Sequence, residues 1–264
     1  MDKISLFSGI VDTHFHMLEM KKKGLDPDQI LSYCFQNGLT AALDVAVKAE
    51  RFQERLEICY KYPELFLTAG LSPAESGKTD AIKLQTLETQ IRDPSVIAVG
   101  EIGLDRHWNY ADPETQKKLF ITQIELANQY NLPIVVHNRN ADREIFHILR
   151  DIKVKGRGVI HCFSSDYEAA KAFIKLGFTI SFSGSITYKN AVKIRETAQK
   201  IPLDYLFLET DAPFLSPQPV RGMVNHPGYI GYTYEFLAQQ RGIHIADLIT
   251  IVRSNFSSLF RINL

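Results

Sequence analysis

Strand-like apolar runs recur along this chain with amphipathic, helix-like stretches between them, and this alternation limits the fold more than any other feature. The runs cover residues 9–16, 40–47, 65–71, 96–104, 132–137, 158–163, 178–183 and 205–210. Helical periodicity marks 26–37, 49–62, 112–130, 141–150, 165–176 and 191–200, and a terminal helix pair spans 231–241 and 245–260. The caps agree: Asp112 precedes Pro113, with Gln116 in the first turn. A carboxylate there satisfies the free N–H groups of a helix start, and proline lacks the N–H that would need a partner. Alternating β and α units imply a parallel sheet with helices packed outside it. The sequence therefore predicts an α/β fold, a (β/α)8 TIM barrel. All 264 residues are expected in a single domain, 1–264, close to the ~250 residues typical of that fold. No repeat, low-complexity stretch or composition shift marks a linker.

Charge and cysteine usage exclude several classes. The chain has 30 Lys and Arg against 30 Asp and Glu, so no global basic field attracts nucleic acid or an anionic membrane. An enzyme that meets phosphate through metal ions remains open, because a bound dication would supply the largest local charge. Cys34, Cys59 and Cys162 form no paired-spacing framework, which fits a reducing compartment. The N-terminus shows no long secretory apolar core, and no run approaches the ~18 apolar residues of a membrane span. A cytoplasmic protein is expected, with no membrane association and no obligate protein partner. Lys21–Lys23 reads as a solvated loop, and the proline-rich stretch 212–229 as a shaped wall beside a site.

Barrel enzymes carry their chemistry at the C-terminal ends of the strands, and metal-ligand residue types fall at that end of several runs. His14 and His16 stand one residue apart in the first run, so an extended strand turns both to one face. Glu101 follows in the fourth, His137 in the fifth, His161 in the sixth and Asp211 after the eighth. Each alone has a plain alternative: a satisfied core histidine for His137 or His161, a salt-bridged strand-end carboxylate for Glu101, a cap or turn residue for Asp211. Together, four histidines and two carboxylates are a full ligand set for two divalent ions, with one carboxylate bridging.

The same residues sit in motifs of a known family. Val11-Asp12-Thr13-His14-Phe15-His16 resembles the opening D-x-H-x-H of the TatD-type metal-dependent deoxyribonucleases. Gly100-Glu101-Ile102-Gly103-Leu104-Asp105 is similar to the family's G-E-I-G-L-D, and Leu132-Pro133-Ile134-Val135-Val136-His137-Asn138-Arg139 to its L-P-x-x-x-H-x-R. His161-Cys162-Phe163-Ser164, Glu209-Thr210-Asp211-Ala212-Pro213, and Arg221-Gly222 with Asn225 and Pro227 complete the set in the family's order. The resemblance spans roughly residues 9–260. It implies a TIM-barrel hydrolase that cleaves DNA phosphodiesters with two divalent ions, as a DNase and 3′–5′ exonuclease. His14, His16, Glu101 and Asp211 would hold one ion, with Glu101 shared with a second held by His137 and His161. Asp211 would be the general base, taking the proton of the attacking water. Mg²⁺, Mn²⁺ and Zn²⁺ all suit such a donor set.

Around that set the sequence offers weaker candidates. Arg139 and Arg221 could place planar forks on phosphate oxygens or form ordinary salt bridges. Asn225 could donate to a phosphate or shape its proline-flanked loop. His107, Trp108 and Tyr110 could stack on bases of a single-stranded or frayed DNA end, or cap the barrel core. Asp12 could orient a ligand histidine or serve as a buried cap. Glu209 is expected to point away from the ions by strand alternation. Cys162 reads as a buried thiol, with nothing basic placed to activate it.

Two departures bear on substrate. Where many family members read G-x-H-P, this chain has Gly70-Leu71-Ser72-Pro73, replacing a proton donor with a hydroxyl. Arg106 intervenes before His107 where aromatic residues are common. The rival readings are an amidohydrolase-like small-molecule hydrolase, an aminoacyl-tRNA ester hydrolase on the same metal site, and a binding protein that kept only the barrel. Many related amidohydrolase barrels bridge their metals with a modified lysine on the fourth strand; Glu101 in that place favours the nuclease branch.

Overall fold

The computed structural model describes residues 6–264. Eight parallel strands run in sequence order around a ring: β1 (Ile10–Phe15), β2 (Leu39–Asp44), β3 (Leu65–Ala69), β4 (Val96–Asp105), β5 (Ile134–Arg139), β6 (Gly158–Ile160), β7 (Phe178–Phe182) and β8 (Leu206–Leu208). Among the described residues ten α-helices surround or flank them: α1 (Met17–Lys22), α2 (Pro27–Gln36), α3 (Phe52–Cys59), α4 (Ala81–Ile91), α5 (Pro113–Tyr130), α6 (Asp142–Ile152), α7 (Tyr167–Lys175), α8 (Val192–Lys200), α9 (Ile230–Arg241) and α10 (Ile245–Phe260). This is the TIM barrel. Its strands read as nearly continuous apolar runs because a parallel sheet closed on itself is buried on both faces; every residue of β4 is buried.

Several of the helices begin at a capping aspartate. Asp26 accepts from the amides of Asp28 and Gln29 ahead of α2, Asp112 from Thr115 ahead of α5, and Asp166 from Ala169 ahead of α7. α10 buries Leu248, Val252, Phe256 and Phe260 on one face, each worth roughly 1.5–3 kcal/mol when fully removed from water. That face packs on β1 and β8, with Phe256 and Phe260 meeting Phe207 at centroid distances of 6.1 Å each.

Four elements differ from the sequence expectation. Lys21–Lys23, expected in a solvated loop, instead close a short helix over residues 17–22; Met17 and Met20 are buried, while Lys21 and Lys22 pair with Glu54 and Glu19. α4 lies in a stretch with no helix expected, because only Leu87, Gln90 and Ile91 of its residues are buried and its apolar pattern is thin. β6 and β8 have three residues each, shorter than their apolar runs.

The ring closes at the seam between β1 and β8, and the closing contacts are few. The amide of Asp211 donates to the carbonyl of His14 at 2.9 Å, the amide of His16 donates to that of Ala212 at 2.8 Å, and Phe15 and Ala212 form a parallel bridge. Asp12 reinforces the seam: its carboxylate accepts from the Thr210 amide (2.9 Å) and hydroxyl (2.6 Å). Beside the seam, the buried Arg55 donates to both the carboxylate and the carbonyl of Asp44 and to the carbonyl of Thr68, and Asp44 accepts from the Met17 amide at 2.7 Å. One ion pair thus joins β2, β3 and the turn after β1.

Candidate metal centre

β1 delivers His14 and His16 to the top of the barrel, both buried. His16 Nδ1 lies 2.8 Å from the Val45 carbonyl, so that nitrogen donates and Nε2 faces inward. There it meets His14 Nε2 at 3.1 Å, Asp211 Oδ1 at 3.4 Å and Glu101 Oε2 at 3.7 Å. His14 stacks on His161 at a centroid distance of 4.0 Å, and its Nδ1 is buried without a hydrogen-bond partner.

β4 supplies Glu101 at the middle of the cluster. Its Oε1 lies 2.6 Å from His137 Nδ1 and 3.1 Å from His161 Nε2, while Oε2 turns toward His16. The backbone behind it is tightly pinned: the Glu101 amide donates to the Ala46 carbonyl, and the Thr68 hydroxyl donates to the Gly100 carbonyl. Glycine is required at position 103, where φ is 144° and a Cβ would sit 2.0 Å from the His137 carbonyl oxygen.

The electrostatics are those of a cluster of bases gathered in a dry place. Burial pushes the Glu101 carboxyl up, but His161 and His137 beside it outweigh that and hold it well below the ordinary range. Burial, then repulsion from His161 and His16, holds His14 neutral. Burial opposes protonation of His16 as well, yet Asp211 and Glu101 raise it to about 9. Cys162 is half-buried rather than the buried residue expected, yet desolvation of its thiol pushes it well up, so it stays protonated.

All six residues expected at the site converge. Ligand atoms of His14, His16 and Asp211 lie within 4.8 Å of one another, as do those of His14, Glu101 and His161. His137 joins the second group through contacts of 2.6 Å to Glu101 and 3.3 Å to His161. Inward-facing nitrogens only 3.1 Å apart, beside carboxylates and with an orphaned ring nitrogen, are a donor set that fits a cation.

The surrounding residues divide. Arg139 is exposed at the end of β5. Arg221 is exposed and stacked over the Tyr188 ring at 4.2 Å, with no salt bridge among the described residues. Asn225 is fully buried and donates to the Thr210 and Phe214 carbonyls, which gives it the loop-shaping role. Asp12 is a seam cap that also accepts from the His14 amide, not a partner of a histidine ring. Trp108 and Tyr110 are 53% and 43% exposed, which removes the core-capping alternative. Ser72 is buried ahead of a short 3-10 helix, with its amide donating to the Val47 carbonyl. The proline-rich stretch does wall the site, bringing the Phe214 ring to 6.3 Å from His16.

Glu209 corrects the alternation argument. It is buried behind His161, with Oε1 3.4 Å from the ring's Nδ1, and accepts from the Cys162 amide at 2.8 Å. Asp105, not foreseen at the site, lies 3.1 Å from His137 Nε2. For Asp105 the signal was present: it is four residues beyond Glu101 in the same strand, an even spacing that keeps one face; Glu209 lies beyond the end of β8, where alternation no longer applies.

A family model for TatD related DNase matches residues 11–261. This chain is a metal-dependent hydrolase of the TatD family. It is 32% identical over 255 residues to the uncharacterized metal-dependent hydrolase YabD of Bacillus subtilis, covering 96% of this chain and 100% of that one. The crystal structure of the TatD homolog YjjV from Escherichia coli superposes with a TM-score of 0.91 at 31% identity, covering 97% and 99% of the two chains. An organophosphorus hydrolase from Deinococcus radiodurans, at 12% identity and a TM-score of 0.68, shares this TatD protein's barrel fold.

Proposed function

We propose that this hydrolase cleaves DNA phosphodiester bonds with two divalent cations, working as a 3′–5′ exonuclease on single-stranded or frayed ends in the cytoplasm. The observation that carries the reading is the division of Glu101, whose Oε1 serves His137 and His161 while Oε2 faces His16. One carboxylate shared between two clusters of nitrogen donors is the arrangement a two-cation site needs. His14, His16, Glu101 and Asp211 would hold one ion; Glu101, His137 and His161 would hold the other. Bound cations supply an acidified water and neutralise charge on the phosphate oxygens.

The chain's own groups do the rest. Asp211 keeps 13% of its side chain exposed, more than Glu101 at 7%, and so can take a proton from water at the mouth as the general base. Arg221, held flat against Tyr188, and Arg139 at the rim present guanidinium edges to phosphate. Trp108, Tyr110 and Phe214, exposed around the mouth, offer ring faces to unpaired bases.

The test is a cleavage assay with Mg²⁺, Mn²⁺ and Zn²⁺ on 3′- and 5′-labelled single strands, beside panels of amides, lactones and aminoacyl-tRNA. Stepwise loss of 3′ nucleotides is expected. Amide, lactone or aminoacyl-ester hydrolysis with the DNA left intact overturns the reading.

A further inference from the structure

The outer edges of the histidines, as well as the inner ones, are organised. His161 turns Nε2 toward Glu101 and Nδ1 toward Glu209. His137 is turned the other way, with Nδ1 toward Glu101 and Nε2 toward Asp105. We propose that Asp105 and Glu209 are paired positioning carboxylates that lock His137 and His161 in opposite tautomers, so that His137 presents Nδ1 to the centre and His161 presents Nε2. The proposal rests on the reading of these histidines as metal ligands.

Asp105 is built for this single contact. Its Oδ1 accepts from the amides of His107 (2.8 Å) and Trp108 (2.9 Å), and its own amide donates to Gln116. These bonds fix the carboxylate plane and leave Oδ2 to His137 alone. A carboxylate accepts and does not donate, so Nε2 carries the proton toward Asp105; without a cation Nδ1 also faces a carboxylate, Glu101 at 2.6 Å, and a cation at the centre would displace only that inner proton and take the Nδ1 lone pair. β4 thus clamps His137 from both sides, with Glu101 within and Asp105 without.

Glu209 reaches the same end differently. It is fully buried, and Oε1 takes the Cys162 amide on one side while facing His161 Nδ1 on the other at 3.4 Å, an ion-pair distance without hydrogen-bond geometry, so that Nδ1, like Oε2, has no hydrogen-bond partner. A carboxylate buried this deeply needs a partner to offset its desolvation, and the His161 N–H is the group facing it. His16 follows the His161 pattern with a backbone carbonyl in place of the carboxylate, so His137 is the reversed member of the set. Outer partners of this kind typically govern affinity by about 10- to 100-fold.

The two carboxylates therefore respond differently to the smallest substitution. In Glu209→Gln the amide oxygen can occupy the Oε1 place and still accept from both neighbours. In Asp105→Asn the amide oxygen is taken by the two backbone N–H groups, which puts the NH2 against His137 Nε2 and forces the ring to accept there. Glu209→Gln should keep zinc affinity near that of the wild type, while Asp105→Asn should lose it as fully as Asp105→Ala.

The experiment is competition titration of metal-stripped protein with Zn²⁺ and a chromophoric chelator, on wild type, Asp105→Ala, Asp105→Asn, Glu209→Ala, Glu209→Gln and a His137→Ala control. Long-range 1H–15N correlation spectra of the zinc-loaded wild type read the tautomers directly and need no variant to fold. Both alanine variants and Asp105→Asn are expected to lose about 10- to 100-fold in affinity, with His137 protonated at Nε2 and His161 at Nδ1. The proposal is overturned by His137 carrying its proton on Nδ1, by alanine variants that bind as tightly as wild type, or by equal behaviour of Asp105→Asn and Glu209→Gln. Unchanged zinc affinity and stoichiometry in His137→Ala instead refute the ligand reading, and the proposal with it.

Discussion

The ring of His16 is held by the carbonyl of Val45, 2.8 Å from its Nδ1, and this bond aims Nε2 at Asp211 and Glu101. Burial works against a proton on this ring, but the two carboxylates raise its pKa to about 9. A cation needs the bare nitrogen, so below that pH a proton must leave before metal binds. Affinity is expected to climb as pH rises toward 9, by about tenfold per unit for each proton displaced. Calorimetry in buffers of different ionisation enthalpy measures the proton count; binding enthalpies independent of buffer at pH 7 contradict it.

His137→Ala and Asp211→Ala are expected to abolish hydrolysis while leaving the barrel folded, because each removes a group at the mouth without emptying the core. For Asp211, loss of a general base alone costs on the order of 10²–10⁴-fold in rate. Full activity in both variants, with unchanged thermal unfolding by circular dichroism, refutes the two-metal assignment.

Removing Arg55 tests the pillar beneath the centre. Its guanidinium is 4% exposed and its partner Asp44 1%, so Arg55→Ala leaves a buried carboxylate without its cation. The expected loss is about 3–5 kcal/mol, read as a shift of the urea midpoint in metal-free protein. A change below about 1 kcal/mol would mean the pair behaves as a surface salt bridge does.

His226 supplies a pH signature away from the ligands. It is buried, its Nδ1 accepts from the Gly228 amide, and burial lowers its pKa to about 4. The folded protein keeps this ring neutral while the unfolded chain protonates it near 6.5. The associated stability is therefore intact above about 6.5 and is lost as pH falls toward 4, about 3 kcal/mol in all. His226→Asn retains an acceptor but cannot titrate. Comparison of the two proteins by denaturant unfolding at pH 7 and 4.5 should show a steeper loss for the wild type; parallel losses exclude the assignment.

The barrel is readable from sequence because each strand is buried on both faces and so stands out as an unbroken apolar run. α1 and α4 are not, since six residues with two buried methionines, or eleven with three buried side chains, carry too little periodicity. The six inner residues are legible because imidazole and carboxylate are conspicuous among aliphatic neighbours at strand ends. The stacking of Arg221 on Tyr188 and the burial of Asn225 in its own loop depend on how the proline-rich stretch folds back, which no local pattern encodes. Glu209 was misplaced for a different reason: strand alternation was applied to residues that lie beyond the end of β8, where Asp211 adopts a left-handed backbone and the rule no longer holds.

The bonds that latch the first strand to the last run through the backbone of His14, His16 and Asp211 themselves. Ring closure and catalytic assembly are in that sense one event, joining residues almost the whole length of the chain apart. A chain emerging from the ribosome carries five of its six inner residues, His14 to His161, before Asp211, so the sixth arrives only with the segment that closes the ring. The molecule thus contains its own interlock: the segment that shuts the barrel is also the one that completes the set of inner donors.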